Sequence, residues 1–543
     1  MELMKKSIYT DKIKAKAMLQ IPLEEDINVS DTRPDVGRLV FTRGKVKIDE
    51  IKTGMNKIWV KGKLAFQVLY EAEGKDAGMS GMEGELPFME EIYMEQVESQ
   101  DRVICENELE DMRVNMINSR KLSIQAVISL KPRVEELVET KICTGIAEYQ
   151  MQTKMSGMTG GEVEQLEYRR KNQEYLETVV CKRDLLRIHE ESRVGSALPA
   201  VGNLLWKSVD VTQIDFRPLE DKLAVSGEMT LFLVYTEEMS GKVNWFEGVI
   251  PFSGNVECQS CKEGMIADVS YDIGHEEISV REDADGEARV IGIELALELE
   301  IKLLCKGDVQ VVADIYGVSC EVDTITNQSL MRRLHQDMYV EEKFAHNTKL
   351  EEAQPKPLQI CHSDARLEIE DCTLDEDEIT WKGNVALRML YLSGEERGGF
   401  HSIEDSVPFS LTRQMLGIRD LPNKKEELPM PRYALFPQLT QLHASLKDGN
   451  QIEWRGVIQL HMPLYDIEKE DILQEIQIGE LDSQKLEKLP GFAIYFVKKG
   501  DTLWQIGKKY YVSVEKIKEI NQLTSDEIKA GDRLLIVKTG EIE

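Results

Sequence analysis

The sequence predicts a mainly β protein with minor α content, in which three repeated antiparallel, sandwich-like domains precede a small strand–helix–helix–strand (βααβ) domain. Three observations carry this prediction. One spacing of Gly, Tyr and Pro-Phe occurs three times, apolar residues alternate with period two after each of these Gly residues, and two short helical patterns lie between two apolar strands near the C-terminus. We expect domains at 1–155, 156–325 and 326–480, a linker at 481–491 and the small domain at 492–538.

Length and composition limit the class of protein. A chain of 543 residues is long enough for three to five domains. Its formal net charge of −31 disfavours nucleic acid and anionic lipid as general partners. We expect no transmembrane segment and no secretion signal, because no apolar run is long enough and Lys5-Lys6 precedes no apolar core. Nine scattered cysteines fit a reducing cytosol better than a disulfide framework.

The repeat consists of a Pro, a Gly 28 residues later, a Tyr eight residues after the Gly, and a Pro-Phe pair 16 or 17 residues after the Tyr. Its three copies are Pro34, Gly62, Tyr70 and Pro87-Phe88; Pro199, Gly227, Tyr235 and Pro251-Phe252; and Pro355, Gly383, Tyr391 and Pro408-Phe409. The copies start 156–165 residues apart, which is far longer than a solenoid repeat. Each copy is therefore interpreted as a domain.

Each repeated Gly is followed by four apolar residues at alternate positions, which lie on one face of a strand. They are Leu64, Phe66, Val68 and Tyr70; Met229, Leu231, Leu233 and Tyr235; and Val385, Leu387, Met389 and Tyr391. A second strand is expected in each copy, at 121–130, 288–304 and 451–464. Clustered strands without regular helix alternation favour antiparallel sheets. Short helices are expected to join the copies near 161–174 and 328–338.

Three features of the repeats have both a functional and a structural interpretation. The repeated Tyr is either a ligand contact or a core ring with its hydroxyl at the rim, and we favour the core ring. Cys258-x-x-Cys261 is half a zinc site, a redox pair or structural. Because no second CxxC or His pair lies nearby, we favour the structural role and predict no metal site. The acidic stretch 71–78 is predicted to form a hairpin loop. Its order of oxygen ligands does not match an EF-hand calcium loop.

The small C-terminal domain is predicted from local patterns. Thr502 and Gln505 form a capping box at the start of a helix whose buried stripe contains Leu503, Ile506 and Tyr510. Ser513 is expected to cap a second helix, with Val514, Ile517 and Ile520 as its apolar stripe. From residue 492 to 538 the formal charge is +3, which leaves about −34 on the rest of the chain. The difference in sign suggests that the two parts meet different partners.

This segment resembles a LysM domain over nearly its whole length. The matching residues are Tyr495-x-Val497-x-x-Gly500-Asp501-Thr502-Leu503-x-x-Ile506, then Ile520-Asn521, then Ile528-x-x-Gly531-Asp532-x-Leu534-x-Ile536. Two positions depart from the family. Val537 replaces a usual proline, and Gly507 stands where a small residue, often alanine, is usual. A glycine inside a helix costs about 1 kcal/mol relative to alanine.

LysM domains commonly bind N-acetylglucosamine polymers such as peptidoglycan, in a groove between the first strand–helix loop and the second helix–strand loop. The resemblance therefore implies a binding site at Gly500, Asp501, Thr502, Leu503, Trp504, Asn521, Thr524, Ser525, Asp526, Glu527 and Ile528. For Leu503 the alternative to ligand contact is a position in the core. For Thr502 and Asn521 the alternative is helix capping. Trp504 lies off the buried stripe and is the candidate exposed aromatic residue, with a buried role as the alternative.

The whole chain is similar to the SipL-like family of spore coat morphogenetic proteins, which combine SPOCS repeats with a terminal LysM domain. Residues 23–36 strengthen the resemblance. The family implies a protein of the mother-cell cytoplasm that is recruited to the forespore surface and spore coat. It also implies a LysM domain that contacts a stage IV sporulation protein A-like morphogenetic ATPase. Because a cytosolic LysM domain does not reach mature peptidoglycan, we expect a protein partner rather than a glycan.

Three functions remain to be weighed. The first is a non-enzymatic scaffold for spore coat assembly, and the second is a protein that binds peptidoglycan in the cell wall or spore cortex. The third is an enzyme, for which the sequence offers no HExxH, Walker A or GxGxxG motif and no recognisable nucleophile–histidine grouping. Counting carboxylates alone does not exclude a glycosidase pair. We predict the scaffold, with no catalytic residues and no cofactor.

Overall fold

The computed structural model describes residues 3–74, 78–146, 166–352, 354–375, 378–394, 399–415, 430–447, 451–480 and 491–537. The first repeat has strands β1 (Leu3–Lys16), β2 (Leu19–Asn28), β3 (Val36–Gly54), β4 (Lys57–Ala72), β5 (Met79–Tyr93), β6 (Val103–Asn118) and β7 (Lys121–Ile146). The second has β8 (Leu166–Arg193), β9 (Val201–Leu219), β10 (Lys222–Glu237), β11 (Val243–Glu257), β12 (Ile266–Glu282) and β13 (Ala288–Gly317). The third has β14 (Glu321–Lys349), β15 (Pro357–Leu374), β16 (Glu378–Ser393), β17 (Phe400–Gln414), β18 (Phe436–Lys447) and β19 (Gln451–Gly479).

Each repeat consists of two antiparallel sheets packed face to face. The hairpin sheets are β3-β4-β5, β9-β10-β11 and β15-β16-β17, and the long-strand sheets are centred on β7, β13 and β19. Apolar side chains between the two sheets form a separate core in each repeat. In the first repeat the outer long strand is divided into β1 and β2, whereas its counterparts β8 and β14 are continuous. The predicted sandwich-like fold class is confirmed. Strand β14 begins a few residues before the expected boundary at 325.

The helices expected between the repeats are a wrong prediction. Residues 166–174 belong to β8 and residues 328–338 belong to β14, while 161–165 lie outside the described residues. Both strands pair along almost their whole length with the long strands β13 and β19. Continuous pairing with a distant strand overrides the weak local preference for helix. The strands expected at 121–130, 288–304 and 451–464 are present and extend further as β7, β13 and β19.

The repeated motif is a set of contacts inside each hairpin sheet. Each motif Gly lies directly across the strands from the motif Phe, in the pairs Gly62–Phe88, Gly227–Phe252 and Gly383–Phe409. Each motif Tyr is fully or almost fully buried and donates its hydroxyl to the carbonyl of the motif Pro, at 2.9–3.1 Å. The repeated Tyr is therefore a core ring with a satisfied hydroxyl. The repeated motif is therefore a structural feature of each hairpin sheet.

The three repeats form a closed ring. Strand β5 contacts β9, β11 contacts β15, and β17 contacts β3, so each hairpin sheet meets the next one around the ring. The outward faces of these sheets share one apolar core, made of Val40, Phe41, Leu69, Trp206, Phe232, Val234, Cys361, Leu390 and Phe400. Polar contacts cross each interface, among them Arg43 to Asp210, His362 to Glu247, and Arg38 to the carbonyl of Phe400.

The long-strand sheets meet around a buried ionic network. Asp11 of β1 accepts from Arg332 of β14 at 2.6 Å and from Lys302 of β13 at 3.0 Å. The hydroxyl of Thr178 on β8 donates to the same carboxylate at 2.6 Å, and Lys302 also pairs with Glu135 at 2.7 Å. Burial alone would raise the pKa of Asp11, but the two cations hold its pKa well below the ordinary value. The network joins all three repeats.

The Cys258-x-x-Cys261 pair is part of the core of the second repeat. Both thiols are buried and free of disulfides. They follow Phe252 at the same offsets at which Met94 and Val97 follow Phe88 in the first repeat, where those side chains are also buried core residues. This equivalence supports the structural role. Part of the expected 71–78 loop, residues 75–77, lies outside the described residues.

Candidate binding site on the C-terminal domain

The C-terminal domain has its own fold and its own core. Its elements are β20 (Phe492–Phe496), α1 (Leu503–Tyr510), α2 (Val514–Asn521) and β21 (Arg533–Val537), in the predicted βααβ order. The two strands pair antiparallel, and the inner face of this hairpin packs on both helices. The core consists of Val497, Leu503, Ile506, Val512, Ile517, Leu534 and Ile536.

The loop between β20 and α1 is held by local hydrogen bonds. Gly500 has a φ of +94°, a conformation that favours glycine. The Asp501 carboxylate accepts from the backbone N–H of Lys498 and from the Tyr495 hydroxyl, both at 2.8 Å, and these bonds lower its pKa. Thr502 caps α1 through the predicted reciprocal capping box with Gln505. These polar side chains therefore have structural partners before any ligand binds.

The second loop follows α2 and is closed by Asn521. The side-chain amide of Asn521 donates to the carbonyls of Ile517 and Leu535 at 2.8 Å and accepts from the backbone N–H of Leu535 at 2.7 Å. Asn521 thus joins the end of α2 to β21. Asp526, further along the loop, accepts from Lys518 at 2.7 Å.

The structure brings the two predicted walls of the groove to the same end of the hairpin. Val497 exchanges backbone hydrogen bonds with Gly531 and Asp532, so the loop after β20 and the loop before β21 leave the sheet side by side. Of the predicted site residues, Leu503 is buried, and Asp501, Asn521 and Ile528 are half-buried. The exposed ones are Gly500, Thr502, Thr524, Ser525, Asp526 and Glu527. Leu503 is a core residue and Ile528 packs against the same core, whereas the exposed residues form a polar, open surface.

Trp504 is not the freely exposed aromatic residue that we expected. Its ring is half-buried against Tyr316 of the second repeat, with the ring centroids 4.9 Å apart in an edge-on arrangement. Its indole N–H donates to Asp314 at 2.7 Å, and the guanidinium of Arg169 lies 5.9 Å from its ring. A residue outside the buried stripe of its own domain can pack against another domain. A local helix pattern does not reveal such a contact between domains.

Helix α1 docks the C-terminal domain onto the body formed by the three repeats. Lys508 donates to Asp314 at 2.7 Å, the Tyr316 hydroxyl donates to the carbonyl of Val512 at 3.0 Å, and the Tyr511 hydroxyl donates to Glu321 at 2.8 Å. Burial raises the pKa of Asp314, but Lys508 and Trp504 outweigh it and lower the pKa overall. This contact leaves the two groove loops exposed.

The outer face of the β20–β21 hairpin is a second open surface, which the sequence pattern did not predict. Its apolar side chains Phe492, Ile494, Phe496 and Leu535 are 73%, 62%, 56% and 39% exposed. Alternation in β20 identifies two faces, but both faces are apolar. The pattern alone therefore did not reveal that one face remains in solvent.

A cavity of about 1850 Å³ is lined by all three repeats and by no residue of the C-terminal domain. No cluster of three or more His, Cys, Asp or Glu side chains in the described parts of the chain is arranged to hold a metal ion. No helix there is long and apolar enough to cross a membrane.

Comparison with protein families defines the class of protein as a three-repeat SPOCS protein with a C-terminal LysM domain. Residues 35–117, 200–281 and 356–423 match the family described as "SipL, SPOCS domain", and residues 495–537 match the LysM domain. The chain is therefore SipL-like. The SPOCS segments each begin next to the motif Pro and leave out the long strands β7, β13 and β19. Neither family is a known enzyme family.

Two curated relatives match short stretches of the chain. The cell wall-binding protein YocH of Bacillus subtilis (strain 168) is 55% identical over 40 residues, which are 7% of this chain and 14% of YocH. The uncharacterized protein YkzQ of the same organism is 38% identical over 45 residues, 8% of this chain and 60% of YkzQ. The chain thus spans less than two thirds of either relative. No solved structure matches significantly.

Proposed function

We propose that this protein is a non-enzymatic assembly protein of the spore coat that docks through its LysM domain onto a morphogenetic partner at the forespore surface. The proposed partner is a stage IV sporulation protein A-like ATPase, and the proposed location is the mother-cell cytoplasm followed by the coat. The resemblance to SipL-like proteins supports this assignment.

One observation carries the proposal: an independently packed LysM domain is fixed to a ring of three repeats while two of its surfaces stay open. The ring consists of packed sheets that share an apolar core, and hydrogen bonds cross its interfaces. Such a body is suited to holding a binding domain in one orientation. Binding sites held on rigid elements lose less conformational entropy on association.

The test is removal of residues 492–543 in the native host, with the location of a tagged protein as the readout. We expect the full-length protein at the forespore and the shortened protein dispersed in the mother cell. A full-length variant with Asp308 changed to Asn serves as control, because Asp308 is an exposed residue of β13, outside the C-terminal domain. Forespore placement without the LysM domain would refute the docking role.

A second function is favoured by the LysM match and by the similarity to a cell wall-binding protein. In this alternative the two loops bind peptidoglycan or another N-acetylglucosamine polymer. Sedimentation with purified peptidoglycan tests it, using the full chain and a variant in which Thr502, Thr524 and Ser525 are changed to Ala. Saturable binding that the variant loses would support the glycan function. Equal sedimentation of both chains would exclude these loops as the glycan site.

A further inference from the structure

The outward face of the C-terminal hairpin is a continuous apolar patch. The strand register places Phe492 opposite Val537 and Ile494 opposite Leu535, so these side chains are direct neighbours. Next along the face, Phe496 lies opposite Arg533. The alternate residues of both strands point to the helices and form the core. The outward residues therefore contribute nothing to that core.

A face of this kind is unusual for a small domain. Single exposed apolar residues are ordinary on protein surfaces, but contiguous apolar patches mark interaction sites. A two-stranded sheet with one buried face is expected to alternate apolar and polar residues. Here the outward positions of β20 are all large and apolar, with exposures of 73%, 62% and 56% for Phe492, Ile494 and Phe496. These exposures hold with the domain docked on the body.

The charge around the patch indicates what covers it. Arg533 is the charged residue among the outward positions of the two strands, and its guanidinium lies 5.4 Å from the Phe496 ring. Lys498 and Lys499 lie in the loop after β20, and the outward positions of the hairpin include no carboxylate. A complementary surface is therefore apolar at its centre and carries carboxylates at its edge.

We propose that the outward face of the hairpin, formed by Phe492, Ile494, Phe496 and Leu535 with Arg533 at its edge, is the surface through which the LysM domain binds its protein partner. The partner surface is an apolar patch bordered by carboxylates. This inference rests on the proposed docking function and assigns it to the strands rather than to the groove loops. The groove loops then form a separate surface at the end of the same hairpin.

The test measures binding of the full-length chain to a purified stage IV sporulation protein A-like ATPase from the same organism, by surface plasmon resonance. Changing Phe492, Ile494 and Phe496 to Ser is expected to weaken binding at least about tenfold, since buried aromatic anchors dominate protein interfaces. Arg533→Glu is expected to weaken binding severalfold and to reduce its salt dependence. The loop variant with Thr502, Thr524 and Ser525 changed to Ala is expected to bind like the wild type.

A matched control changes exposed apolar residues on the body. Met55, Met89 and Tyr93 are 82%, 67% and 67% exposed, so changing them to Ser removes similar apolar surface from the first repeat. This variant is expected to keep full binding. Thermal unfolding by circular dichroism identifies any variant that has lost its fold, and Arg533→Glu then tests the face without removing apolar groups.

The outcomes separate the inference from the function on which it rests. If the chain without residues 492–543 fails to bind but the hairpin variants bind normally, the hairpin inference is overturned and the docking function stands. If the shortened chain still binds, the docking function itself fails. If the wild-type chain self-associates in sedimentation equilibrium and the hairpin variants do not, the face is occupied by a second copy, which also overturns the inference.

Discussion

Gly507 shows how a single residue links the helix to the rest of the molecule. By helix propensity alone it is a defect in α1, because alanine is better there by about 1 kcal/mol. In the structure a Cβ at this position would lie 2.6 Å from the Tyr316 hydroxyl oxygen and 2.7 Å from the Val512 carbonyl oxygen. The departure from the LysM pattern thus coincides with the contact between the domain and the body.

We predict that Gly507→Ala destabilises the protein, although the same change stabilises most helices. Forcing a methyl group into a filled contact costs about 1–3 kcal/mol, which exceeds the gain in helix propensity. Differential scanning calorimetry of the full chain measures the effect. Combining the change with Tyr316→Phe is expected to restore part of the loss, because the hydroxyl oxygen is removed. A Gly507→Ala protein that melts above the wild type would contradict the prediction.

The elements show which parts of the fold follow from local sequence. Period-two alternation predicted the inward faces of β4, β10 and β16, where each of the four predicted residues is at most 2% exposed. The capping box and the stripe of Leu503 and Ile506 likewise predicted α1. Strands β8 and β14 were missed because their stability comes from pairing with β13 and β19, which are distant in sequence. The docking of Trp504 was missed for the same reason.

The long strands also carry the buried network around Asp11, and we predict a large effect of breaking it. Asp11→Asn removes the carboxylate that pairs with the buried Arg332 guanidinium, while Lys302 keeps its pair with Glu135. Removing one partner of a buried ion pair costs about 3–5 kcal/mol. Urea unfolding monitored by circular dichroism measures the loss.

Asp26→Asn is the matched control for this change. Asp26 pairs with Lys121 at 2.7 Å, but the two side chains are 45% and 37% exposed. An exposed pair of this kind contributes at most about 1 kcal/mol. Equal effects of the two substitutions would show that the Asp11 network does not join the repeats energetically.

At the scale of the whole molecule, His362 lies where the three repeats meet. Its ring stacks on Phe232 of the second repeat at 4.2 Å and meets Phe41 of the first repeat edge-on at 6.5 Å. Burial alone would lower the pKa of His362, but the carboxylates of Asp364 and Glu247 outweigh burial and raise the pKa to about 9. The ring is therefore charged at neutral pH and stabilises the contact between repeats.

We predict that the stability of the ring falls as the solution becomes alkaline. The pKa of His362 in the folded protein, about 9, lies above its unfolded value of 6.5. Its stabilising contribution is then complete below pH 6.5 and is lost as the pH rises through 9. Melting temperatures measured over this range are expected to decline in the wild type and to decline less in His362→Gln. His189→Gln, which changes an exposed histidine, is the control and should follow the wild-type profile.

Because the ring is closed, the number of repeats is fixed, whereas the number of repeats in a linear repeat protein is not. A stacked array gains or loses a unit at its end, because each unit contacts only its neighbours. Here the third repeat returns to the first through β17 and β3, so no end is left to extend. A duplicated fourth unit would have to open an existing interface and divide the Asp11 network. The copy number of three is thus a geometric property of the molecule, and the body has a constant size.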